Sequence, residues 1–459
     1  MVLEQTGRHA SGLGPGFRGR VIAPDAVEYD RARRVHNAAV DRHPALIVRP
    51  TDADDVALAV AHAQERGLPL VVRAGGHSMA GHGTGDGTLV LDLSDMRGVE
   101  IDAAGRTAWA DAGVLAGEYT TASHAHGLVT PFGDTGSVGV AGITLGGGVG
   151  WLVRKYGMTI DSLLAVEIVT ADGRRRIASA VEEPDLFWAV RGAGANFGVV
   201  TRLQFRLHPL DKVLAGHILL PVTRDVLRRL VPALLAAPDE LTAMPDIMLA
   251  PDDATIPAAH RGRPVVKLHV AWAGAAEAGE RALAPLRALA TPMSDTIAWK
   301  PYMDLFSPVD RDEEPTWGVS SRGQFIDTLD DAMIDVIEHR LTEPGAPDVI
   351  VELRVLGGAM ARVPGDATAF GWRDRPALLW LVAPYEEISR AAAVEAWTAA
   401  FHAALSADGA ATYVNFMGDE GADAVRDAYP AATYARLREL KRRYDPDNVF
   451  RANHNIRPA

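Results

Sequence analysis

Between Asp134 and Gly150 the chain reads DTGSVGVAGITLGGGVG, with glycine at positions 136, 139, 142, 146, 147, 148 and 150. Backbone this poor in side chains loses more conformational freedom on folding than any other, so its surroundings must hold it in place. Taken alone, the run could be a flexible linker. Against that, Val138, Val140, Ile143 and Leu145 alternate with small residues, which predicts a buried segment. Buried glycine-rich backbone lies against something that needs close approach, such as a flat or phosphorylated group. The run matches neither a G-x-G-x-x-G turn after a strand nor a phosphate loop ending in G-K-[ST].

Two further glycine-rich turns flank it, RAGGHSMAG at 73–81 and GAGANFGVV at 192–200. The first follows a strand, where bare backbone amides can approach a phosphate. Around it, ALIVRP, LPLVVRAGG and GTLVLDLSDM read as strands and TDADDVALAVAHAQERG as a helix, with capping-box spacing at Thr51 and Asp54 and a stop at Gly67. Continuous apolar strands alternating with helices predict an α/β layer covered on both faces. EIVTADGRRRIA predicts a hairpin turning at Asp172-Gly173. The first ~20 residues, polar and glycine-rich, predict an arm. Three glycine-rich turns in one half favour a nucleotide cofactor without saying which. His77, judged alone, is an ordinary hydrogen-bonding loop histidine.

After Leu210 the runs GHILLPV, PVVKLHVAWAG, VIVELRVLGGAM and ALLWLVAPY are separated by alanine-rich helices, which predicts an antiparallel sheet with helices on one face. The tail from Tyr413 reads as helix to Tyr444, then as a fixed loop, DPDNVFRANHNIRP. A net charge of −13 argues against nucleic acid as a partner. With no cysteine there is no disulfide, thiolate metal site or thiol nucleophile. Nor is a metal site expected from histidines: the closest pair, His124 and His126, would not face each other on a helix. No apolar run approaches the ~20 residues of a membrane span, and the first residues carry no apolar signal core, so a cytoplasmic protein without a membrane partner is expected.

The strings VVRAGGHS, VGVAGITLGGGVGWLVRKYG, DLFWAVRGAGANFGVVT and YDPDNVFRANHNIRP, in this order and spacing, resemble the FAD-linked oxidases of the berberine bridge enzyme type, within the vanillyl-alcohol oxidase superfamily. The resemblance runs from about Pro44 to the end. It implies an α+β fold: a two-part FAD-binding domain from residues 1–210 and 413–459, with an inserted substrate domain at 211–412 made of an antiparallel sheet covered by helices.

The resemblance also implies roles. His77 would bond to the 8α-carbon of the flavin. The backbone of Arg73, Ala74, Gly75, Gly76, His77 and Ser78 would cradle the pyrophosphate. Val138, Gly139, Val140 and Gly142 would run along the flavin, Gly198 and Val200 near the nucleotide end, and Asn415 and Asn453 at the ring. In relatives the residue at Val138 controls oxygen access, and a side chain smaller than isoleucine favours dioxygen as acceptor. Thr135 stands where many relatives carry a cysteine that forms a second flavin bond, so a single bond through His77 is expected. Phe416 stands where many carry a tyrosine base, and His454 where many carry glutamine. Tyr413, Glu352 and Tyr385 are left as candidate proton acceptors.

The expected activity is oxidation of a small alcohol or amine by FAD, with dioxygen reduced to peroxide, in secondary metabolism. Inserted strands rich in Val, Leu, Ile and Ala point to an apolar substrate rather than a sugar. A nicotinamide dehydrogenase would need a dinucleotide fingerprint that is missing. A non-catalytic flavin-binding homologue would be compatible with Phe416.

Overall fold

The computed structural model describes residues 12–252, 256, 258–312, 314–406 and 411–459. Residues 1–11 of the expected arm lie outside these. The rest of that segment is packed down: Leu13 is buried, Phe17 rests on the same core, and the Arg18 amide donates to Asp55 Oδ1 at 2.9 Å.

Four strands form the first sheet: β1 (Arg20–Ile22), β2 (Leu46–Arg49), β3 (Leu70–Arg73) and β4 (Leu89–Asp92), in the order β1-β2-β4-β3. The last three are parallel, and every residue of β4 is buried, as continuous apolar strands require. The helix between β2 and β3 spans Ala53–Glu65. Its cap is Asp52, whose carboxylate accepts the amides of Asp54 and Asp55, and not Thr51, whose hydroxyl donates to Asp55. The capping residue therefore lies one position later than the spacing predicted.

A five-stranded antiparallel sheet follows, from β5 (Val99–Asp102), β6 (Thr107–Asp111), β8 (Leu163–Val169), β9 (Arg175–Ser179) and β10 (Val199–Arg206), in the order β5-β6-β10-β8-β9. Between β6 and β8, β7 (Leu128–Val129) pairs instead with β11 (His208–Pro209). The hairpin β8–β9 turns where expected, with Gly173 at φ 72° and Asp172 Oδ1 accepting the Thr170 hydroxyl at 2.6 Å.

The third sheet has eight strands, β12 (Lys212–Pro221), β13 (Leu241–Leu249), β14 (Pro264–Trp272), β15 (Ser294–Asp295), β16 (Ala298–Pro301), β17 (Gly318–Ile326), β18 (Ile350–Val355) and β19 (Ala377–Tyr385). All of its pairings are antiparallel. Strand period 2 sends alternate residues to opposite faces. Leu268, Val270, Val351, Leu353, Leu379 and Leu381 share a core with helices Arg224–Leu235, Ala276–Arg287, Asp331–Leu341 and Ala391–Leu405. The opposite face turns toward the glycine-rich run. Four strands of this sheet escaped the sequence reading: the short β15 and β16, β13, interrupted by Pro245, and the edge strand β17, whose Ser320, Ser321, Arg322 and Gln324 mask a fully buried strand.

The tail is less continuous than predicted. A short turn at Val414–Phe416 precedes helices Gly421–Asp427 and Ala431–Tyr444. The closing loop is fixed by a fully buried pair. Lys441 Nζ meets Asp445 Oδ2 at 2.6 Å and the carbonyls of Asn196 and Phe450 at 2.8 Å, while Asp445 accepts the amides of Val449 and Phe450. Hydrogen bonds of this number let a buried charge pair persist. Among the described residues, no helix is long and apolar enough to cross a membrane.

Candidate active site

The first two glycine-rich segments meet back to back. A Cβ on Gly75 would lie 2.3 Å from the Gly139 nitrogen, and one on Gly139 would lie 2.5 Å from the Gly75 nitrogen. Only glycine permits this approach. Gly76 turns the chain at φ 71°. Among the described residues, the amides of Gly75, Gly76, His77 and Ser78 donate to no protein acceptor. Such a group of free amides at a strand end suits an anionic ligand. Arg73 and Ala74 contribute backbone only; the Arg73 guanidinium turns inward to Asp92 at 2.9 Å. Ser78 accepts the His82 amide at 3.3 Å.

The central run is pinned on its other side. The carbonyls of Gly136 and Val138 accept the amides of Gly117 and Ala116, and the Val140 amide donates to Val114. It then forms a short helix, Val140–Gly146, rather than extended backbone. Val140 enters the core, Val138 is half-buried, and Gly142 faces open space. Thr135 is exposed and bonds to Asp134.

Asn415 closes the C-terminal end of this helix. Its Nδ2 donates to the Ile143 carbonyl at 3.0 Å and to the Tyr413 hydroxyl at 2.9 Å, and a Cβ on Gly146 would overlap it. The third glycine-rich turn is tied to the tail: Asn196 bridges the His454 carbonyl and the Ile456 amide, and Asn453 Nδ2 donates to the Ala195 carbonyl at 2.7 Å. Asn453 Oδ1 and Asn455 Oδ1 are buried without a protein partner. Gly198, at φ 157°, is required by β8, since a Cβ there would strike the Val169 carbonyl; Val200 lies in the core opposite Ile168. The needs of these two residues are internal to the sheet. His454 sets its ring edge against His82, centroids 4.7 Å apart, and burial lowers both, to about 3 and about 4.

His77 is largely buried, hydrogen-bonded to the Ser137 backbone and stacked on His36 with centroids 3.9 Å apart. Burial, with His36 beside it, takes His77 down to about 3, so its imidazole is neutral near pH 7.

Across from the glycine run, the free face of the third sheet carries Asp246, His269, Glu352, Arg354 and Trp380. Arg354 is its centre. It pairs with Asp134 at 2.5 Å and with Glu352, donates to Met244 Sδ, and lies 5.6 Å from the Phe416 ring centroid. Phe416 stacks on Trp380, centroids 4.0 Å apart and nearly parallel. Burial raises Glu352 to about 8, reinforced by Asp246 and Asp134 and opposed by Arg354. Burial also acts on Asp134, but Arg354 outweighs it and holds that carboxyl below its usual range.

Two of the three candidate proton acceptors are not placed for the task. Tyr385 is on the helix-facing side of β19, packed against the other core. Tyr413 is 2 % exposed, its oxygen accepts both the Gly148 amide and Asn415, and burial pushes its phenol up to about 12. It serves as a spacer between glycine turn and asparagine. Glu352 alone stands on the free face. Many of the Val, Leu and Ile residues that suggested an apolar lining point into the helices, whereas Leu356 and Leu378 pack with Tyr413 and Phe416, and Leu219 and Val265 form a separate cluster. His36, Trp317, Asp134, Arg354 and Trp380 were missed; for Trp380, strand alternation opposite Leu379 and Leu381 was the available signal.

A sequence signature described as FAD binding domain matches residues 44–179, and one described as Berberine and berberine like matches 412–457. The (R)-6-hydroxynicotine oxidase of Paenarthrobacter nicotinovorans is 34% identical over 464 residues, covering 96% of this chain and 97% of that protein. The chain belongs to the berberine bridge enzyme-like FAD-linked oxidoreductases. The solved structure of 6-hydroxy-D-nicotine oxidase from Arthrobacter nicotinovorans superposes with a TM-score of 0.86 at 31% identity, covering 98% of this chain and all of that one. That of xylooligosaccharide oxidase from Myceliophthora thermophila gives 0.84 at 25% identity, covering 96% and 97%. The protein is thus an FAD-linked oxidoreductase of α+β fold in a family whose named substrates range from a nicotine derivative to sugars. Its open cradle of amides and its orphaned Asn453 and Asn455 oxygens fit FAD.

Proposed function

We propose that this berberine bridge enzyme-like protein is an oxidase that holds FAD on a single covalent bond to His77 and oxidises a small amine or alcohol, with Glu352 as the proton acceptor and dioxygen as the electron acceptor. The observation that carries it is the convergence of Glu352, Arg354 and Asp134 where the sheet face meets the glycine run.

On this reading residues 1–210 and 413–459 form the FAD-binding domain and 211–412 the substrate domain. The backbone of Arg73 to Ser78 holds the pyrophosphate, and Val138 to Gly142, Asn415 and Asn453 surround the ring. When bound, the flavin supplies a hydride acceptor at N5 and passes the electrons to dioxygen as peroxide. Neutral His77 is competent to add to the 8α-carbon, and the hydroxyl of Thr135 is too weakly acidic to form a second bond. The Trp380–Phe416 stack walls the substrate and keeps water out. Glu352, ionised at the upper end of the physiological range, takes the substrate proton; Arg354 orients it.

A basic amine is the favoured substrate, because Asp134 and Glu352 share one buried guanidinium and Asp246 lies beside Glu352 in the sheet, so carboxyls outnumber guanidinium groups there. 6-Hydroxynicotine, for which a full-length relative is named, is such an amine. Secondary metabolism is the proposed setting, and a location inside the cell the proposed compartment.

The test combines flavin chemistry and kinetics. Acid-precipitated protein should stay yellow in the wild type and in Thr135→Ala but not in His77→Ala. Turnover should yield stoichiometric peroxide; reduction by substrate followed by minutes-long reoxidation in air would remove dioxygen from the reading. Anaerobic flavin reduction should follow a pH limb near 8, where Glu352 ionises. Glu352→Gln should lose that limb and about 10²-fold or more in rate. An unchanged profile would dismiss Glu352 as base.

A further inference from the structure

His77 is held from two sides. Its ring bonds to the Ser137 backbone on one side and lies flat on His36 on the other, at 3.9 Å and 23°. His36 is in turn backed by the edge of Trp317, centroids 4.8 Å apart at 88°. The His36 amide donates to the Gly76 carbonyl at 3.1 Å, and the Ala38 amide to that of Trp317. The segment 36–38 therefore fixes both the loop that carries His77 and the plane of its ring.

We propose that His36 is a positioning residue for covalent flavin attachment, holding the His77 imidazole in the plane from which one ring nitrogen reaches the cofactor's 8-methyl carbon. This rests on the histidyl attachment proposed above. Two imidazoles stacked face to face present no ring N–H to each other, so His36 does not take a proton directly from His77. Its contribution is orientation: attachment requires the nitrogen lone pair to point along the line to the methyl carbon, and a ring free to rotate about its side-chain bonds satisfies this only part of the time. A stacked neighbour also disfavours a charge on His77, which keeps the lone pair available.

In the attachment step a nitrogen–carbon bond forms between His77 and the 8α-carbon. One methyl C–H bond and the imidazole N–H bond break, and both protons leave to solvent. The two electrons released reduce the flavin ring, which dioxygen then reoxidises, giving peroxide. No other oxidant is needed.

The experiment follows covalent incorporation rather than turnover. Wild type, His36→Ala, His36→Phe, Trp317→Leu and His77→Ala are prepared with saturating FAD, and the acid-stable flavin fraction and intact mass are followed over time. His36→Ala is expected to bind FAD but to attach it about tenfold more slowly, the scale set by loss of an aromatic pair. His36→Phe keeps a flat ring in the stack and is expected to attach at a rate within about twofold of wild type. Trp317→Leu, which loosens the backing alone, should fall between them and covers the case in which His36→Ala does not fold. Attachment by His36→Ala at the wild-type rate overturns the proposal. So does a His36→Phe variant as slow as His36→Ala, which would make the role one of proton chemistry. Wild-type protein that releases all its flavin in acid, like His77→Ala, would instead refute the histidyl attachment itself, and this inference with it.

Discussion

A tyrosine accepts a substrate proton only as phenolate, and burial works against phenolate. Tyr413 is almost wholly buried, and its oxygen is already an acceptor for the Gly148 amide at 2.8 Å and for Asn415. Removing the hydroxyl leaves the Gly148 N–H without its partner, which costs about 1–3 kcal/mol. Tyr413→Phe is therefore expected to unfold at lower denaturant while keeping the pH limb of flavin reduction near 8. Loss of that limb with stability intact would return the base role to Tyr413 and take it from Glu352. The contrast with Glu352 is one of surroundings. Both groups are raised by burial, but a carboxyl raised to about 8 still ionises within reach of neutral pH, and a phenol raised to about 12 does not.

At the scale of elements, the two glycine-rich segments are a matched pair. Alanine at Gly75 would place a methyl carbon 2.3 Å from the Gly139 nitrogen, so the two loops must separate. Overpacking of this kind costs about 1–3 kcal/mol, here at the proposed cofactor cradle. Gly75→Ala should retain FAD about tenfold less tightly or worse, read from the flavin-to-protein absorbance ratio after gel filtration. Retention equal to wild type would show that the loops part freely and do not define the site. These segments were legible in the sequence because glycine requirements are local: positive φ and close approach depend on few neighbours. Four strands of the large sheet, β12, β14, β18 and β19, were legible as strands, but not by face. GHILLPV and ALLWLVAPY announce their apolar residues, of which Ile218, Leu220, Leu379 and Leu381 are turned into the helices while Leu219 and Leu378 are not. What faces the site is the interleaved set, Asp246, Glu352, Arg354 and Trp380, whose meaning depends on pairings far apart in the chain, such as Asp246 with Glu352. The stack of His36 on His77 was illegible for the same reason. No periodicity links a residue before β2 to one after β3.

Over the whole molecule, Arg354 is the bridge between the large sheet and the glycine run. Asp134 belongs to the glycine run, Glu352 to the sheet, and one buried guanidinium serves both. The two carboxyls should therefore titrate as parts of one unit. Removing the positive charge, as in Arg354→Met, takes away a group that favours ionised Glu352, so the pH limb of flavin reduction should move to higher pH. Neutralising Asp134, as in Asp134→Asn, takes away a negative charge that opposes ionisation, so the limb should move to lower pH. The effects on stability should not add. Either single change leaves a buried charge short of a partner, whereas the double variant leaves neither of this pair, and residues in one such network couple by about 0.5–3 kcal/mol. Limbs that shift in the same direction, or a double variant whose stability loss equals the sum of the singles, would mean that Asp134 and Glu352 meet Arg354 without sharing it. Opposite shifts with positive coupling would mean that the position of the glycine run sets the proton affinity of the base, and so that the cofactor segment and the substrate sheet act as one site.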